Sequence, residues 1–244
     1  MGNESDKLRP QRSNTAILIR SKAHSNIISR GRADASEILL RVTQETANPK
    51  ISPCDTNDPE QFFSLGMKYY EGTEAEKNYE LAAYWFEKAA ALGHADAEWC
   101  MSVVHFNGQG LAKDHQRSFE WCRKSAEHGN ASAQFSLGWK FSVGMYVPQD
   151  FEQAAFWLRK SADQGHTNAQ MCLANQYRSG QGLPQSYAEW LFWSTLAERL
   201  GHTGASPGVA AWARNLVAAN LTPDQVSDVE KRVNRWIANN QKVK

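Results

Sequence analysis

An all-α fold, a right-handed solenoid of stacked helix pairs, is what the sequence predicts, and three observations carry the prediction. Gly72, Gly108, Gly144 and Gly180 recur every 36 residues. Trp85, Trp121, Trp157 and Trp193 keep the same interval, as do Gly93, Gly129, Gly165 and Gly201. Between these markers the apolar residues fall at helical spacing. Several registers sharing one period between about 20 and 50 residues mean that a small unit is stacked on copies of itself.

Each element of the unit has a local reason. In the third unit Ala133, Leu137, Gly138 and Phe141 lie on one face of a first helix. Gly144 follows as its stop, where a left-handed residue is wanted. The second helix opens at Asp150, whose counterparts are Asn78, Asp114 and Ser186, all strong N-cap types. Gln153 and Glu189, three residues after Asp150 and Ser186, complete a capping-box pattern there. Ala154, Trp157, Leu158, Ser161 and Ala162 then line one face before Gly165. Gly66, Ser102, Gly138 and Ala174 share one position of the first helix, and Ala82, Ser118 and Ala154 share one of the second. Small side chains there let the two helices approach closely, with the tryptophan filling the adjoining space.

The ends of the chain differ from the repeat. Residues 207–220 read as one helix, and Thr222-Pro223-Asp224-Gln225 opens another, with Thr as N-cap, Pro at the first helical position and Gln three after the cap. Val226, Val229, Val233 and Trp236 continue it at helical spacing, so residues 205–244 read as a cap over the open end of the stack. Residues 1–57 carry nine Lys+Arg against six Asp+Glu, a surplus of +3, while residues 58–244 carry 18 against 20, or −2. That Ser- and Asn-rich basic arm has no sustained period and reads as largely disordered, with a short helix over residues 35–46. A solvated tail, a partner-binding arm and an organelle-targeting segment all fit its composition.

At the level of the whole unit the residues resemble a known family. Ala133…Leu137-Gly138…Phe141…Gly144…Asp150…Ala154…Trp157…Lys160…Ala162…Gly165-His166 is similar to the Sel1-like repeat, a relative of the tetratricopeptide repeat. The likeness extends over residues 58–204 as four units, 58–96, 97–132, 133–168 and 169–204. The outer units depart from it, with Gln61 for the usual alanine in the first and Trp190 for a small residue in the fourth. Terminal repeats are expected to be atypical. The resemblance implies a non-catalytic adaptor or scaffold that binds protein, and a tail like that of bacterial members.

Composition and motif searches narrow the function further. Lys+Arg number 27 against 26 Asp+Glu, which argues against a nucleic-acid binder. No apolar run approaches the roughly 18 residues of a membrane span, and Ala16-Ile17-Leu18-Ile19 is too short for a signal-peptide core. A cytoplasmic protein is the expectation. Cys100 and Cys172 are equivalent positions two units apart, Cys122 lies in a second helix and Cys54 in the linker, so free thiols are expected. His94, His166 and His202 share one position just past a helix C-terminus, which suits a carbonyl-bonding or dipole role better than a metal. His105, His115 and His128 stand at three other positions without a Cys, Asp or Glu at ligand spacing. Gly108-Gln109-Gly110 and Gly180-Gln181-Gly182 sit in helix–helix turns and lack the strand and Gly-Lys-Ser/Thr of a phosphate loop. No catalytic residue, metal site or cofactor is expected.

What remains is a second stripe on the first helices, about 170° from the packing face. By analogy with tetratricopeptide repeats it lines a concave groove. It holds Phe63, Met67 and Tyr70; Trp99, Val103 and Phe106; Phe135, Trp139 and Ser142; Met171, Asn175 and Arg178. Nine of the twelve are large and apolar, the usual mark of a site for a peptide or partner protein. Packing between units, or burial under the basic arm, would also account for them. Among functions, an inhibitor or immunity-type protein neutralising one secreted effector is the nearest alternative, since some bacterial relatives act so. A cell-wall or β-lactam-related hydrolase, implied by the cysteine-rich branch of the family, lacks a nucleophile–base or carboxylate pair in the groove. Carbohydrate binding lacks the convergent polar groups sugars need.

Overall fold

The computed structural model describes residues 58–73, 75–201 and 215–240. The arm 1–57 with its helix over 35–46, Cys54, His202 and the first part of the 207–220 helix lie outside them. Among the described residues the regular structure is all helical. Four pairs follow one another: α1 (Pro59–Glu71) with α2 (Tyr79–Ala91), α3 (Ala95–Asn107) with α4 (His115–Glu127), α5 (Ala131–Val143) with α6 (Phe151–Asp163), and α7 (Thr167–Ser179) with α8 (Tyr187–Arg199). Helical residues 215–220 and α9 (Pro223–Asn240) complete the chain. Each helix packs on its successor, and α5 also reaches α7. Neighbour-only packing of this kind is a solenoid.

The caps explain where every helix starts and stops. Asn78, Asp114, Asp150 and Ser186 accept from backbone N–H groups two or three residues on. Gly72, Gly108, Gly144 and Gly180 end the first helices at φ between 72° and 74°. The capping boxes expected in the third and fourth pairs form only in half. The N–H of Asp150 donates to Phe141 O and that of Ser186 to Tyr177 O, both 2.9 Å, in place of a glutamine or glutamate side chain. Asn78 and Asp114 do the same with Tyr69 O and His105 O, so the preceding helix takes up this donor in every pair. The full box appears at α9, where Thr222 N–H donates to Gln225 Oε1 (2.8 Å) and Gln225 N–H to Thr222 Oγ1 (3.3 Å).

The repeated histidines correct the sequence expectation. The backbone N–H groups of His94 and His166 bond Ala89 O and Ser161 O of the helix behind (3.2 Å each), but their side chains cap the helix ahead. Their Nδ1 atoms accept from the N–H of Ala97 (3.2 Å) and Ala169 (3.3 Å), as Asn130 Oδ1 accepts from Ala133 (2.8 Å). The connection is only three residues long, a C-cap, a left-handed glycine and then the N-cap of the next helix. First helices therefore begin at Ala95, Ala131 and Thr167, two residues before the unit boundaries read from the alanines.

An accepting Nδ1 must be unprotonated, and burial pushes the His166 pKa below its ordinary 6.5. A histidine whose folded pKa is depressed adds stability that is complete above pH 6.5 and is lost as pH falls below it. His166→Asn, which copies the cap at Asn130, is expected to keep the stability at about pH 8 and to flatten its decline towards pH 5.5. Thermal melts at the two pH values check this.

Packing between the helices of a pair follows a size rule. A Cβ on Gly66 would lie 2.5 Å from the ring of Phe86, and one on Gly138 would lie 2.8 Å from Leu158 Cγ. The side chain that fills the space beside the small residue is thus the one after the tryptophan, not the tryptophan itself. Trp85, Trp121 and Trp157 are half-buried, with Phe62 stacked on Trp85 at 5.7 Å, and of the four only Trp193 is fully enclosed. Where the facing residue is the smaller Cys122, the first helix carries Ser102, which bonds Ser118 O at 2.9 Å. Buried glutamines fasten one pair to the next: Gln134 Nε2 donates to Ala126 O and Gln170 Nε2 to Ala162 O, each 3.1 Å.

The far end is closed as the sequence predicts. Val229 and Val233 of α9 are buried in one cluster with Leu173, Trp190, Trp193 and Leu196. Arg232 binds Glu189 at 2.8 Å and lies over the Phe192 ring. Trp190, the departure from a small residue in the fourth pair, fills space in that terminal cluster.

Candidate functional site

The first-helix stripe divides by what its residues touch. Phe63 stacks on His94 (4.6 Å) and Phe135 on His166 (4.7 Å), each ring lying against the cap of the following pair. Trp99 packs on the cluster of Cys122, Ala126, Ala133 and Leu137. Tyr70 meets Tyr79 and Phe86, and its hydroxyl donates to Gln109 Oε1 in the next pair's turn (3.2 Å). Met67, Val103 and Met171 are half-buried, and so are Ser142 and Arg178, whose carbonyls accept from Gln149 and Gln185. Asn175 is exposed. The two that stand furthest into solvent as large apolar groups are Phe106 (47% exposed) and Trp139 (39%). None of the twelve is buried.

A second set of residues, absent from the sequence expectation, adjoins Phe106. The His115 ring sits 5.2 Å from Phe106 and 6.0 Å from Tyr146, and Tyr146 also reaches Phe119. Tyr146 has φ 66°, the one left-handed non-glycine among the described residues. Its register partners are Gly110 and Gly182, at φ 74° and 73°. A Cβ on either glycine would collide with the carbonyl oxygen of Tyr79 or Phe151 at the start of an earlier second helix. A bulky residue held there costs about 1–3 kcal/mol. The signal was present in the sequence as a break in the 36-residue glycine register, but it shows as a surface only once the neighbouring helix is in place.

The three cysteines among the described residues are not activated as nucleophiles. Burial, helped by Asp96, pushes the Cys100 thiol up to about 12, and burial raises Cys122 and Cys172 as well. These three cysteines are unpaired. His128 meets the buried Glu98 carboxylate at 2.8 Å, a pairing that sequence spacing did not show. Nδ1 of His105 and of His115 is buried without a partner. Among the described residues no three His, Cys, Asp or Glu side chains gather closely enough to hold a metal, and no helix is long and apolar enough to cross a membrane.

A neighbour-packed stack of capped helix pairs, with a half-exposed apolar stripe on its first helices, defines a solenoid repeat protein. Residues 63–94, 95–130 and 131–166 each match the Sel1 repeat, so the chain carries Sel1 repeats in tandem. The fourth pair, α7 and α8, lies beyond the matched residues. A Sel1 repeat protein from Oxalobacter formigenes is similar in structure, with TM-score 0.61 and 33% identity over 66% of this chain and 45% of that one. A second solved structure, c5321, a protective antigen present in uropathogenic Escherichia coli strains with an SLR fold, aligns at TM-score 0.46 and 26% identity, covering 77% of this chain and 49% of its own. This chain therefore spans about half the length of either. Among curated proteins none matches.

Proposed function

We propose that this protein is a non-catalytic adaptor, holding a partner protein or a peptide along the first-helix stripe. The observation that carries the reading is the exposure of Phe106 and Trp139, two large apolar side chains that the stacking of the pairs does not consume. Sel1 repeats generally serve as interaction scaffolds, and thiols held protonated by burial supply no nucleophile. Unpaired cysteines favour a reducing compartment such as the cytoplasm.

Trp139→Ala and Phe106→Asp should each remove partner capture while changing the melting temperature little. The check is affinity capture with quantitative mass spectrometry, run beside thermal melts of the same variants. A partner retained by both variants, or a large loss of stability in both, would count against the reading.

A further inference from the structure

Among the described residues, seven of the nine exposed large apolar side chains belong to the second and third pairs, and six of these, Phe106, Leu111, Trp139, Val143, Met145 and Tyr146, lie on the first helices or the turns that follow them. They are not spread evenly along the stack. Through His115 and Phe119 the rings of Phe106 and Tyr146 join into one continuous apolar surface beside the turn that follows α5. Tyr146 sits in that surface in a backbone conformation which the two equivalent turns give to glycine. Folding does not call for a tyrosine there, because Gly110 and Gly182 make the same turn without one. A strained bulky residue, half-exposed beside other exposed apolar groups, is the pattern expected of an anchor for a ligand.

The charge at the margin says what kind of ligand. Lys113 holds its ammonium 5.8 Å from the Phe106 ring centre. Lys140 follows Trp139 directly, lies one turn from Val143, and bonds the uncharged Ser136 hydroxyl (2.8 Å). The acids nearby are engaged with the fold itself. Asp114 accepts from Arg117 N–H and lies 3.6 Å from its guanidinium, and that N–H above all holds the carboxyl below its usual range. Asp150 accepts from Glu152 and Gln153 N–H, and Glu120 accepts from Gln116 along its own helix. Among the described residues, by contrast, neither the Lys113 nor the Lys140 ammonium is paired with a carboxylate. A second copy of the chain on a two-fold axis would set these lysines against their own images, which disfavours it.

We propose that this face, centred on Tyr146, docks an acidic segment of the partner that presents large apolar side chains. The inference rests on the adaptor reading and gives it a location and a ligand chemistry. Apolar side chains would cover Phe106, Trp139 and Tyr146, and the carboxylates flanking them would face Lys113 and Lys140.

The probe is a fluorescein-labelled synthetic peptide of alternating leucine, phenylalanine and glutamate, set against a twin with lysine for glutamate, both followed by anisotropy with the full chain. The glutamate peptide is expected to bind roughly 10-fold more tightly than its twin, with the gap closing as salt rises. Tyr146→Gly should weaken it about 10-fold with the melting temperature unchanged or higher. Tyr146→Asn, which tolerates the same backbone, guards against a folding artefact. Lys113→Glu with Lys140→Glu should erase the preference between the twins. Equal binding of the two peptides overturns the proposal. So does binding that survives Tyr146→Gly and Tyr146→Asn but is lost in Met67→Asp, which would move the site to the first pair and leave the adaptor reading standing. Failure of both peptides to bind at all overturns the proposal, while the adaptor reading stands or falls by partner capture with Trp139→Ala and Phe106→Asp.

Discussion

Gly66→Ser is expected to lower the unfolding free energy by about 2–3 kcal/mol, and its loss should not add in full to that of Phe86→Cys when both are made in one chain. A serine Cβ at position 66 falls 2.5 Å from two ring carbons of a phenylalanine that is itself fully buried. Neither side chain can give way, since Phe86 also touches Phe63 and Tyr70. Phe86→Cys alone leaves a cavity and should cost about 3–5 kcal/mol. Together the two changes rebuild the pairing that Ser102 and Cys122 already make in the second pair. The double variant should therefore fall short of the summed losses by at least about 1 kcal/mol. Urea unfolding of the four proteins measures the coupling, and strict additivity would show that the size rule between paired helices is not what spaces them.

The second large effect concerns the closed end. Val233 has no exposed surface and lies with Val229 among Leu173, Trp190 and Trp193. Val233→Asp would bury a carboxylate with no cation designed to meet it. The fold escapes by releasing α9, at a cost of about 3 kcal/mol or more. Because each pair touches only its neighbours, the damage should stay local. Hydrogen exchange is expected to show α8 and α9 opening while α3 to α6 keep their protection. Uniform loss of protection along the chain would mean that the stack unfolds as one body.

How far the residues disclosed the molecule can be judged element by element. The period of 36, the glycine stops and the Asn, Asp and Ser N-caps are local facts, and each appears in the structure where the spacing puts it. The histidines at 94 and 166 are visible as a register, but which helix their side chains serve is not. Whether a residue between two helices serves the one behind or the one ahead depends on the length of the connection and the turn of its ring. The half-formed boxes at Asp150 and Ser186 have a similar origin, because a carbonyl from the previous helix reaches the donor first. The stripe of twelve was legible as a pattern, but its division into rings that brace a neighbouring cap and rings that meet solvent was not.

By itself the amino-acid order determined the repeat, the helical character of each segment, and the points where first helices end and second helices begin. Those are properties of residues a few positions apart, governed by backbone conformation and hydrogen bonding along one stretch of chain. The tertiary structure alone decided which apolar groups remain outside. Exposure depends on what the adjacent pair places alongside, and so Phe63 and Phe135 lie against a neighbour's histidine while Phe106, Trp139 and Tyr146 do not find enough cover.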